Sequence, residues 1–78
     1  MDFEELKNYI IDGRDVEFEY EGKEYAITNS AYGFLFSEKG VEYNQQIYEK
    51  ADDLISRLLI KGNLIKKICN KFENIEIY

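Results

Sequence analysis

The carboxylates of Glu17, Glu19, Glu21 and Glu24 crowd into one short stretch, VEFEYEGKEYAI (Val16–Ile27), and are the residues of this chain best suited to chemistry. Carboxylates at this density have three uses. They hold a hard cation, move protons, or present an anionic surface to a basic one. The first two find no support elsewhere in the sequence. There is no histidine, the commonest general base and metal ligand. The single Cys69 therefore has no histidine to activate it, and a zinc site is not available. Cys69 lies on an apolar helical face, where packing is its expected role. DGRD (Asp12–Asp15) and ADD (Ala51–Asp53) lack the spacing of a calcium loop. The Gly-Lys pair of EGKEY lacks the first glycine of a phosphate loop, and Glu24 stands where Ser or Thr is needed. Nothing sets up a shifted pKa. The reading is against an enzyme, with no catalytic residue, no cofactor and no metal site expected.

The elements that must carry these acids can be read from periodicity. Phe3, Leu6 and Ile10 fall at helical spacing with Tyr9 flanking them; Asp2 suits the N-cap and Gly13 a left-handed C-cap. A two-residue Glu21-Gly22 loop sets Tyr20 against Lys23, Glu19 against Glu24, Phe18 against Tyr25 and Val16 against Ile27. Val16, Phe18, Tyr25 and Ile27 then share one buried face. A three-residue loop would place Phe18 against Glu24, so the two-residue loop is preferred, although Glu is a poor residue for a positive φ. AYGFLF is expected as a third strand with Tyr32, Phe34 and Phe36 on one face. Residues 41–49 read either as a short fourth strand or as the start of a helix, with the helix otherwise beginning near Lys50.

Ala51, Leu54, Ile55 and Leu58 form that helix's apolar stripe, and IKGN breaks it: Gly62 stops one helix and Asn63 caps the next. LIKKICNKF follows as a short helix with Leu64, Ile65, Ile68, Cys69 and Phe72 inward. NIEIY reads as a last strand added to the sheet. The expected fold is α+β in one domain spanning residues 1–78, ordered α-β-β-β-(β)-α-α-β, a small antiparallel sheet with helices on one face.

Charge is unevenly spread over the 78 residues. Residues 1–42 hold 11 acids against four bases, a net −7, whereas residues 43–78 hold five acids and six bases, a net +1. An acidic front half argues against direct nucleic-acid binding, whose footprint is a basic patch. It favours a partner with a basic surface, or serves solubility alone. A lone cysteine points to a reducing compartment. MDFEELKNYII has no basic region or long apolar run, and no segment is long enough to span a bilayer, so a cytoplasmic location away from membranes is expected.

Two readings of the acidic hairpin remain open. Glu19 opposite Glu24, with Glu17 along the same face and Glu21 at the tip, costs a few tenths to about 1 kcal/mol. That cost is explained if charges discourage edge-to-edge pairing of an exposed strand. It is explained equally if the acids form a binding surface, which Glu38 and Glu42 would extend. Tyr20, Tyr25 and Tyr32 are expected at the core rim; Tyr43, Tyr48 and Tyr78 are expected to be more exposed.

DGRDVEFEYEGKEYAI followed by ADDLISRLLIKGNLIKKI resembles small proteins carried by phages and prophages of low-GC Gram-positive bacteria, across most of the chain. Some small acidic phage proteins of similar size and charge are anti-CRISPR and other anti-defence inhibitors that occupy basic nucleic-acid channels. The resemblance implies a host-protein inhibitor and no catalytic residues. In that reading Glu17, Glu19, Glu21 and Glu24 stand in for phosphates, and Tyr20 or Tyr43 supplies apolar contact. The alternative is a structural or regulatory accessory protein, monomeric or homodimeric, whose acids serve solubility. A small metal-dependent enzyme is a third class, which would show a magnesium-induced rise in melting temperature.

Overall fold

A computed structural model describes the backbone of residues 1–78 and the side chains of all residues except 41–44. Helix α1 (Phe3–Ile11) starts where Asp2 Oδ1 accepts the Glu5 N–H at 2.8 Å. It ends where Gly13, at φ 79°, donates to the Ile10 carbonyl and Arg14 donates to that of Tyr9, both at 3.0 Å. Those two bonds satisfy carbonyls that a helix end leaves free, as the glycine predicted.

Strands β1 (Val16–Tyr20) and β2 (Lys23–Ser30) form the expected hairpin in the expected register, with Val16 opposite Ile27, Phe18 opposite Tyr25 and Glu19 opposite Glu24. Strands β3 (Gly33–Glu38) and β4 (Val41–Tyr48) continue the meander, so the open choice over residues 41–49 resolves as strand through Tyr48. Strand β7 (Glu73–Ile77) pairs antiparallel with β1, giving the order β4-β3-β2-β1-β7. β1 is therefore interior. AYGFLF is shorter than predicted: Ala31 and Tyr32 form the β2–β3 turn, leaving Tyr32 85% exposed rather than at the core rim.

Helix α2 (Ala51–Arg57) buries Leu54 and Ile55, and the chain leaves it at Leu58 in extended conformation. IKGN is a hairpin rather than a helix-to-helix break: β5 (Leu59–Ile60) pairs with β6 (Asn63–Leu64) around Lys61 at φ 52° and Gly62 at φ 81°. Two successive positive φ angles fit a two-residue hairpin turn of the type I′ kind. Asn63 is a strand residue whose Nδ2 donates to the Lys61 carbonyl at 3.2 Å, and Leu64 occupies the N-cap of α3 (Ile65–Ile68). Ile65, Ile68, Cys69 and Phe72 point inward as expected, through α3 and a turn of 3-10 helix at Cys69–Lys71, while Leu64 is only half-buried. Burial pushes the Cys69 thiol above its ordinary pKa, in keeping with a packing role.

All helices pack on one face of the sheet. Leu6, Ile10, Leu54, Leu58 and Ile65 meet Val16, Phe18, Ile27 and Phe36 in a single core. Aromatic rings run across it: Phe72 stacks on Phe18 at 4.0 Å, Phe18 meets Tyr25 at 5.7 Å, and Tyr25 meets Phe36 at 5.5 Å.

The hairpin tip stores strain. Glu21 sits at φ 50° beside Gly22 at φ 80°. An L-residue with a side chain pays about 1–2 kcal/mol in that region, and Asn tolerates it best. Lys61, the first residue of the other tight turn, lies 3.2 Å from the Glu21 carboxylate, but a surface pair is worth at most about 1 kcal/mol. Glu21→Asn is therefore expected to raise the thermal midpoint by about 2–4 °C, roughly 0.5 kcal/mol at this size. Calorimetry checks this, and a lower midpoint would show that the pair outweighs the strain.

Candidate partner-binding face

Because residues alternate along a strand, the face opposite the helices carries the other half of every strand. On β1 that half is Glu17 and Glu19; on β2 it is Glu24, Ala26 and Thr28. β7 sets Glu76 beside Glu17, and a register shift between Glu17 and Glu19, with Asn74 at φ 50°, sets Glu73 opposite Glu19. Among the described residues, the helices pack on the other side and none covers this one. Glu17, Glu19, Glu24 and Glu76 ring a recess of about 100 Å³ at one end of it. Towards β3 and β4 the same face turns neutral through Ser37, Leu35 and Ile47.

Lys39 reaches into the acidic end. Its N–H donates to the Glu24 carbonyl at 2.9 Å, and its ammonium forms an ion pair and hydrogen bond with Glu17. That bond holds the Lys39 pKa above its ordinary value, so the lysine stays charged. Tyr78 donates its hydroxyl to Glu76, which raises the phenol pKa. The recess therefore carries four carboxylates against one ammonium. Among the described residues, no group of three or more His, Cys, Asp or Glu is arranged to hold a metal ion.

The acids and tyrosines read from the hairpin do not all share this face. Glu17, Glu19 and Glu24 do. Glu21 is at the turn, drawn towards Lys61 on the helix side. Tyr20 is 4% exposed and meets Phe72 edge-on at 5.8 Å, so it is a core residue and unavailable for partner contact. Its parity with Phe18 already put it on the buried side, and the 3-10 turn brings Phe72 over it. Tyr25 is likewise buried, Tyr48 is half-buried, and Tyr78 is exposed. Glu38 pairs in register with Tyr25 and bridges to Lys23 at 3.5 Å, which places it on the helix side. The side chains of Glu42 and Tyr43 lie outside the described residues.

Glu76 and Lys39 belong to the face and were not read from the sequence. The alternation of NIEIY exposes Glu76 once β7 is known to lie against β1, but nothing local says so. Among the described residues, no helix is long and apolar enough to cross a membrane. No family model, characterised protein or solved structure matches the chain.

Proposed function

We propose that the chain is a non-enzymatic protein-binding module that inhibits a host nucleic-acid-handling protein, of the kind phages direct at defence systems. Its open sheet face stands in for a phosphate backbone. The observation that supports this is strand order. Glu17, Glu19 and Glu24 sit on β1 and β2, both interior, so they guard no edge against pairing. They nevertheless lie together, with Glu76, on the uncovered face. Like charges set opposite each other reduce stability, and a basic partner repays that cost by complementing them. Lys39 leaves the face anionic, and Lys or Arg of a nucleic-acid channel would meet Glu19, Glu24 and Glu76 directly.

Charge reversal tests the reading. Tagged wild-type chain and the Glu17→Lys, Glu19→Lys, Glu24→Lys triple variant are compared in a pull-down from a low-GC Gram-positive lysate. Recovered partners are then titrated with purified chain in competition with DNA. The wild type is expected to capture a nucleic-acid-binding protein and displace its DNA. The triple variant, folded by circular dichroism, is expected to bind at least about a hundredfold more weakly, as loss of several close charge pairs implies. Equal capture by both would sink the phosphate-mimic idea.

A further inference from the structure

On the open face, β7, β1 and β2 present two rows of three positions. Register sets Glu76, Glu17 and Ala26 side by side in one row, and Glu73, Glu19 and Glu24 in the next. Strands lie about 4.8 Å apart, and rows two residues apart along a strand are separated by about 7 Å. Every position but Ala26 is a glutamate.

Lys39 reaches across that one gap. It follows β3 on the face of Ser37, which pairs with Ala26, and its side chain crosses β2 to meet Glu17 on β1. The two ends of the residue are held differently. Its N–H is fixed to the Glu24 carbonyl at 2.9 Å, within the backbone. Its ammonium has three donors, of which one is bonded, to Glu17. The Lys39 side chain is 45% exposed and that of Glu17 31% exposed. An exposed pair of this kind favours its closed form by at most about fivefold. Among the described residues, Lys39 is the only cation paired with any of the five glutamates. A primary ammonium therefore already occupies the acidic recess, and the chain itself supplies it.

We propose that Lys39 is an internal stand-in for a partner's lysine: it holds the recess in the free chain and gives up Glu17 when a lysine ammonium of the partner enters. The inference rests on the phosphate-mimic reading of this face, and adds which cation the recess takes and how its affinity is set. In the free chain the contact offsets part of the repulsion among the glutamates. On binding it competes, because a ligand that needs the open form is weakened by the fraction of chain that is open. Displacement requires rotation only about side-chain bonds, since the backbone anchor at Glu24 stays in place. The released ammonium leaves Glu17 free to join Glu19 and Glu24 in contact with the partner.

The probe is an octalysine peptide, titrated into the chain at physiological ionic strength and followed by nuclear magnetic resonance. The Glu19 and Glu24 amides report binding, and the Lys39 Nζ signal reports the ion pair. Wild type is expected to bind while the Lys39 Nζ protons lose their protection from solvent exchange. Lys39→Met, at an exposed turn position, should bind about fivefold more tightly. Lys67→Met removes the same charge from the exposed side of α3, in the helix layer, and should change binding less than about twofold, because salt screens charges beyond about 8 Å. If wild type binds but Lys39→Met binds no more tightly than Lys67→Met, the stand-in role is overturned and the anionic face stands. A Lys39 Nζ that stays protected at saturation has the same meaning. If neither wild type nor Lys39→Met binds octalysine, the proposal and the reading beneath it fall together.

Discussion

Replacing Phe72 with alanine is expected to cost about 3–5 kcal/mol, the range for emptying a buried aromatic site. Phe72 follows the 3-10 turn and leans on β1 from the helix layer. It stacks on Phe18 with planes 12° apart and meets Tyr20 edge-on at 70°. Its removal opens a void against two aromatic neighbours at once, and neither can collapse into it without leaving its strand position. A chain of this length has about 4–12 kcal/mol of stability in total, so the loss is a large fraction of the whole. The thermal midpoint should fall by about 12 °C or more, and the urea midpoint should fall with it. Phe72→Leu keeps most of the volume and should cost less than about 1.5 kcal/mol. Equal losses in the two variants would mean that side-chain volume at this site is not what holds α3 against the sheet.

The second large effect belongs to Gly33, where β3 begins. Gly33 sits at φ 131°, and a Cβ there would fall 2.5 Å from the Tyr48 carbonyl oxygen and 3.2 Å from the Glu49 Cα. Both obstacles are backbone, so a rotamer change cannot relieve them. Gly33→Ala combines strain at a disfavoured φ, about 1–3 kcal/mol, with overpacking of similar size. A loss of about 2–5 kcal/mol is expected, with faster amide exchange in β4, whose end must move. Gly40→Ala is the control, because no atom of the described residues lies within 4 Å of its Cβ position and the φ strain at 86° remains. Similar costs at the two glycines would show that conformation rather than crowding governs Gly33.

Gly33 and Phe72 also mark how far local patterns reach. AYGFLF reads as a strand by alternation, and it is one from Gly33 onward. The close approach that demands the glycine is to residues fifteen or so positions later, beyond any short pattern. LIKKICNKF shows Phe72 turned inward by helical spacing, but not the ring it meets. IKGN shows the opposite failure. Gly62 does end the helical segment, yet the same residues support a hairpin once Leu59 and Leu64 can pair. A glycine by itself does not distinguish a helix stop from a hairpin turn.

The sequence by itself determined the α+β class, the cap and closure of α1, and the faces of the β1–β2 hairpin. Side chains alternate with a period of two, and a one-residue slip would have buried glutamates, so one register survives. It also determined that Glu17, Glu19 and Glu24 look away from the core. Tertiary structure decided what lies beside them. Val16 pairs with Ile77 across the length of the chain, and that contact makes β1 interior, brings Glu76 beside Glu17 and leaves β7 and β4 as the two edges of the sheet. Lys39 joins the acids only because β3 returns alongside β2, and Glu21 leaves them only because a second tight turn brings Lys61 within reach. Periodicity records which way a side chain faces because that depends on its nearest neighbours along the chain. Strand order depends on contacts between residues far apart in sequence, and those form only when the whole core is assembled.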